Sequence, residues 1–75
     1  MKPLRNWTAL VAWAEANEMR ADSQSPAGHS PWARLWARNE DPREEEVLVI
    51  RYGRDEQVAR AALLRAVNAI RGASK

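Results

Sequence analysis

One run constrains this fold more than any other: Glu46-Val47-Leu48-Val49-Ile50-Arg51-Tyr52, rich in β-branched and aromatic residues and stopped by Gly53. Such a run reads as a strand. A strand alone leaves its backbone N–H and C=O groups unpaired, so the chain must supply a neighbour. The nearest candidate is Pro31 to Arg38, joined to the run through Asn39-Glu40-Asp41-Pro42-Arg43. Asp-Pro is a turn dipeptide, and the arrangement predicts a β-hairpin. A competing signal lies in Ser30-Pro31, which also suits a helix start and would put Trp32, Leu35 and Trp36 on one helical face. The second strand's need for a partner favours the hairpin.

Helical patterns flank this unit. Asn6 is a good N-cap, and residues 7 to 21 then carry Trp7, Leu10, Val11, Ala14 and Ala21 on one side, with Trp13 and Asn17 at its edge. Asp55 caps a second helix that runs to about Arg71 and stops at Gly72. Its apolar face is Val58, Ala59, Ala62, Leu63, Ala66, Val67 and Ile70. Residues 22 to 30, Asp-Ser-Gln-Ser-Pro-Ala-Gly-His-Ser, read as a flexible loop, and residues 72 to 75 as a disordered tail. The expected fold class is α+β: one small domain over residues 1 to 75, helix–loop–β-hairpin–helix, with both helices on one face of the hairpin.

A chain of 75 residues has a thin core, burying only about 60–65% of the surface its unfolded form exposes. Domains this small often add disulfides, a metal or a partner subunit. Cysteine is absent and His29 is the single histidine, which excludes disulfides, thiolate sites and a structural zinc. No metal and no cofactor are expected, and association with another chain gains weight by elimination. The net charge of +2, from 12 basic and 10 acidic residues, falls well short of the basic patchwork of dedicated nucleic-acid binders. Lys2 and Arg5 precede an apolar stretch, Trp7 to Ala14, too short and interrupted for a signal peptide. No apolar run approaches membrane-spanning length. A cytoplasmic protein without a membrane partner is the expectation.

Catalysis has little to stand on. The nucleophile–base pairs reduce to Ser23, Ser25 or Ser30 beside His29, all within the one loop, whereas a catalytic base needs a rigid frame and an orienting group. Glu44, Glu45 and Glu46 are consecutive, so their side chains alternate along a strand and read as a solvated turn. Gly28, Gly53 and Gly72 are isolated and form no phosphate loop. The chain is expected not to be an enzyme.

Two surfaces remain. Alternation along the first strand puts Ala33, Leu35 and Ala37 on one side, where small residues suit close helix packing. Trp32, Arg34, Trp36 and Arg38 then fall on the uncovered side, with Val47, Val49 and Arg51 expected beside them and Leu48, Ile50 and Tyr52 turned inward. Tryptophan and arginine dominate protein–protein hot spots, and they also stack on bases and hold phosphates. The bland alternative makes Trp32 and Trp36 core residues, since a small domain needs its large side chains. The second surface is the back of the final helix, where Arg60, Leu64, Asn68 and Arg71 follow helical spacing. A lone exposed leucine is ordinary there, and the arginines suit a carboxylate or a phosphate equally.

The leading expectation is a protein–protein interaction module using Trp32, Arg34, Trp36, Arg38, Arg51, Arg60, Leu64 and Arg71. An inhibitor that covers a site on a larger machine, in the manner of phage or mobile-element accessory proteins, is one form of it. An anti-CRISPR-like anti-defence protein is a concrete version, resting on size and architecture alone. Pairing with a second copy as a homodimer is a further form, and nucleic-acid binding is the alternative. The strand–glycine–helix ending from Val47 to Ile70 resembles the end of a double-stranded-RNA-binding domain. However, Asp55, Glu56 and Gln57 stand where that family places lysines, and these acidic groups repel phosphate. No family is assigned on that likeness.

Overall fold

The computed structural model describes residues 2–37 and 46–73. Along the chain lie α1 (Trp7–Ala16), β1 (Met19–Gln24), β2 (Trp32–Ala37), β3 (Glu46–Tyr52) and α2 (Glu56–Ala73). The strands form an antiparallel sheet in the order β1-β2-β3. The α+β class stands, with both helices on one face of the sheet, and residues 32–37 are strand and not helix. The sheet nevertheless has a strand that the helical spacing hid.

That strand is β1, which occupies residues expected to be the tail of α1 and the start of a loop. Asn6 caps α1 as its residue type predicts, accepting the Ala9 N–H on its side-chain oxygen at 2.8 Å. The helix stops at Ala16 because Asn17 turns back on it. The Asn17 side chain donates to the Trp13 carbonyl at 2.8 Å, and its backbone N–H donates to the Ala14 carbonyl at 3.0 Å. Glu18 then takes the left-handed conformation, with φ 59°. That geometry ends helices and normally belongs to glycine. A left-handed L-residue costs about 1–2 kcal/mol, so Glu18→Gly is expected to raise stability by about 1 kcal/mol, less what glycine adds to unfolded-chain entropy. The gain would appear as a higher urea midpoint at unchanged slope.

β1 and β2 pair from Met19↔Ala37 to Gln24↔Trp32. Their connection turns at Pro26-Ala27-Gly28-His29, where the His29 N–H donates to the Pro26 carbonyl at 3.3 Å and Gly28 has φ 77°. A type II turn places a positive φ at this third position, which explains the glycine. The expected loop therefore shrinks, because Asp22, Ser23 and Gln24 belong to the sheet. The β2–β3 turn at residues 39–43 and Glu44 and Glu45 lie outside the described residues, while Glu46 opens β3 and is exposed.

The core lies between the sheet and the two helices. Leu10 and Ala14 of α1, Ala33 and Leu35 of β2, and Ala59, Leu63 and Val67 of α2 are its buried members. Alanines at Ala14, Ala33 and Ala59 let the backbones approach, so three larger side chains, Leu10, Leu63 and Val67, can be fully enclosed in so small a domain. Asp55 caps α2 by accepting the Val58 N–H at 2.8 Å. The helix continues through Gly72 to Ala73, two residues past the expected end at Arg71 and so into the expected tail.

Candidate functional site

The sheet's second face, away from the helices, carries the tryptophan–arginine cluster. Alternation places Trp32, Arg34 and Trp36 there, since Ala33 and Leu35 between them are buried against the helices. Opposite residues in an antiparallel pair share a face. Gln24, Asp22 and Arg20 of β1 therefore flank Trp32, Arg34 and Trp36 on one side. On the other side stand Tyr52, Ile50 and Val47 of β3.

The expectation for β3 holds at Val47 alone, and a bulge explains the rest. Leu35 pairs with Val49 but Trp36 pairs with Val47, so Leu48 is an extra residue on β3. The extra residue reverses the alternation beyond it. Val47 faces outward as expected, whereas Val49 and Arg51 share the helix-side face, and Ile50 and Tyr52 turn out. Val49 packs against the core. Arg51 is thus not beside the tryptophans; it lies exposed at the sheet edge, donating to the Ile50 carbonyl at 2.8 Å. Arg38 falls outside the described residues.

Within the cluster the side chains hold one another. The Arg34 guanidinium lies 4.6 Å from the Trp32 ring centre and 4.9 Å from that of Trp36, so it is clamped between the two indoles. Asp22 holds the same group in its plane, accepting from Nε at 2.9 Å and from Nη2 at 3.3 Å. Arg20 stacks over Trp36 from the neighbouring strand, at 5.2 Å. Trp32 and Trp36 are half-buried, yet they are walls of an outward face and not members of the core, against the bland alternative. The Trp36 indole N–H is shielded from water and meets no acceptor among the described residues. Val47 (46% exposed) and Tyr52 (60%) continue the face with apolar surface, and Leu48 at the bulge is 47% exposed.

The second expected surface has a different neighbour: the chain's own N-terminal segment. Arg60 donates to the Ser23 hydroxyl at 2.7 Å and to Glu56 at 3.0 Å, and it stacks on Trp7 at 5.0 Å. Leu64 is not a stranded surface leucine, because it packs against the core. Asn68 accepts the Leu4 N–H at 2.8 Å and donates to the Leu4 carbonyl at 3.0 Å. Arg71 donates to the Lys2 carbonyl at 3.1 Å and lies 5.4 Å from the Trp13 ring. What is left open there is a shallow depression of about 250 Å³ lined by Trp7, Gln57, Arg60, Ala61 and Leu64.

Every one of the four tryptophans is thus covered by an arginine. The two pairs on the helix side tie elements together, and the sheet-side group faces out. Sequence reasoning found Trp32, Arg34 and Trp36 and missed Arg20 and Asp22, because β1 itself was read as helix and loop.

Ser23 serves Arg60 as a hydrogen-bond acceptor, and His29 sits exposed in the type II turn. No cluster of three or more His, Cys, Asp or Glu suited to a metal occurs among the described residues. None of their helices is long and apolar enough to cross a membrane. Compared with protein-family models, curated proteins and solved structures, the chain has no match.

Proposed function

We propose that this domain is a non-catalytic protein-binding module whose contact surface is the outward sheet face centred on Trp32, Arg34 and Trp36. The observation that carries this reading is the clamped arginine. Arg34 is fixed between two indoles and a bidentate carboxylate, which makes the surface rigid and amphipathic before any partner arrives. Rigid aromatic and arginine anchors lose little conformational entropy on association, and they dominate binding hot spots.

The same geometry argues against the nucleic-acid alternative. A stacking platform for bases needs open ring faces, and these rings already carry guanidinium groups. Phosphate binding needs unneutralised cations, whereas Asp22 neutralises Arg34 and itself repels phosphate. An inhibitor that covers a site on a larger assembly is one form the protein-binding reading takes.

The test is recovery of a partner on the immobilised domain after nuclease treatment and in high salt. A stoichiometric protein partner is expected to persist. Trp36→Ala removes the indole anchor, so affinity should drop at least tenfold, while circular dichroism reports that the domain stays folded. Arg20→Glu should weaken binding comparably, by reversing the exposed charge over Trp36. Recovery of nucleic acid alone, lost on nuclease treatment, would sink the reading.

A further inference from the structure

The two edges of the sheet are unequal. β1 is a polar edge, carrying Arg20, Asp22, Ser23 and Gln24 among its six residues. Charged and polar edges are how natural sheets avoid pairing with other chains. β3 is the opposite: Val47, Leu48, Val49 and Ile50 run without a charge or a proline, and three of the large exposed apolar side chains are on this strand. Among the described residues β3 pairs with β2 and with no other strand.

Its free edge has a definable hydrogen-bonding pattern. The Gly53 N–H donates to the Pro31 carbonyl at 3.1 Å, so the backbone groups of Gly53 point toward β2. Alternation then turns those of Arg51 and Val49 toward β2 as well, and those of Ile50 and Tyr52 outward to the edge. The contact of Arg51 agrees with this, because its guanidinium reaches round to cap the Ile50 carbonyl at 2.8 Å.

We infer that a second copy of this chain pairs with β3 across a two-fold axis at Ile50, joining two three-stranded sheets into one of six strands. A strand that pairs with its own copy about a two-fold axis does so antiparallel. The axis at Ile50 lets the two Ile50 residues exchange both outward N–H···O bonds. It sets Tyr52, 60% exposed, against the bulge at Leu48 of the second copy, 47% exposed. Charge complementarity selects this occupant. Arg51 lies opposite the second copy's Val49, and the bulge makes Glu46 the next helix-side residue beyond Val49, since Glu46 pairs with Ala37 and Arg51 with Ala33. Arg51 of each copy is therefore diagonal to Glu46 of the other, within reach of long side chains. On pairing, Arg51 exchanges the Ile50 carbonyl for that carboxylate, and the freed carbonyl accepts from the second copy. The axis is perpendicular to the sheet, so both tryptophan–arginine faces end on the same side. The inference stands apart from the protein-binding reading, because oligomeric mass and partner recovery are separate measurements.

The full chain should sediment with twice its 8.5 kDa mass as concentration rises. Glu46→Arg and Arg51→Glu should each weaken the dimer on the order of 100-fold, since the symmetry repeats the like-charge contact twice. The double exchange Glu46→Arg/Arg51→Glu should restore it, and Ile50→Pro, which deletes an outward N–H, should abolish it. Circular dichroism of each variant reports that the domain itself is folded. A wild-type chain that stays monomeric to millimolar concentration overturns the inference, as does a dimer indifferent to both charge reversals and to Ile50→Pro.

Discussion

Leu63→Ala lowers the stability of this domain by roughly 3–5 kcal/mol, the range for a fully enclosed leucine whose cavity cannot collapse. Leu63 has no exposed surface and stands midway along the buried α2 stripe, between Ala59 and Val67. Its neighbours in the core are Leu10 and Ala14 from α1 and Ala33 and Leu35 from β2. Three of these buried residues, Ala14, Ala33 and Ala59, are alanines without side chains long enough to swing into a void. A domain of this length has a total stability of about 4–11 kcal/mol, so the variant is expected to be partly unfolded at 37 °C. Urea titration followed by tryptophan fluorescence measures it, with Ala61→Gly on the exposed side of the same helix as a control costing about 1 kcal/mol. A loss at Leu63 no larger than the control's would mean the three layers do not meet where described.

Gly53→Ala is the second large effect. A Cβ at this position would lie 2.7 Å from the Ala59 backbone nitrogen, 2.8 Å from Val58 Cγ1 and 2.9 Å from Val58 Cβ. Two of these contacts are with backbone or with a β-branched Cβ, which cannot rotate away. The junction between β3 and α2 must open, at the cost of the Gly53 N–H bond to Pro31 and of the Ala59 seat in the core. We expect a loss of about 2–4 kcal/mol, in the range of overpacking combined with a backbone shift. Gly72→Ala is the contrast: nothing approaches its Cβ and the residue is helical, so stability should rise by about 0.5–1 kcal/mol. Thermal melts of the two variants, moving in opposite directions, check both.

How much of this was legible in the sequence depends on the length scale of each signal. α2 was legible because seven apolar residues repeat at helical spacing behind an aspartate cap, all local information. β2 was legible through the pairing demand of β3. β1 was not, because Met19, Ala21 and Ser23 alternate with Arg20, Asp22 and Gln24 in a pattern of small contrasts. A period of two written in alanine and serine carries little hydrophobic signal, while Asn17 and Glu18 give no glycine to announce the turn. The face of β3 was misread beyond its bulge, since one inserted residue swaps every later side chain and no residue type marks it. Arg60, Asn68 and Arg71 looked like ligands for a partner because their neighbours lie far off in sequence; Asn68 meets Leu4. Local periodicity found the right residues for the candidate site and could not say which of them the chain itself would occupy.

The bonds between Leu4 and Asn68, with Arg71 reaching the carbonyl of Lys2, make the molecule topologically close to a ring. The first described residues and the last turns of α2 meet on the helix side, while the tryptophan–arginine face looks the other way. Where the chain is opened then becomes a matter of covalent bookkeeping and not of packing. A circular permutant joined across that meeting point and opened at Ala27-Gly28, in the hairpin turn, would retain the same core and the same outward face. Segments joined before Lys2 or after the last turn of α2 would leave the domain beside each other, clear of the sheet.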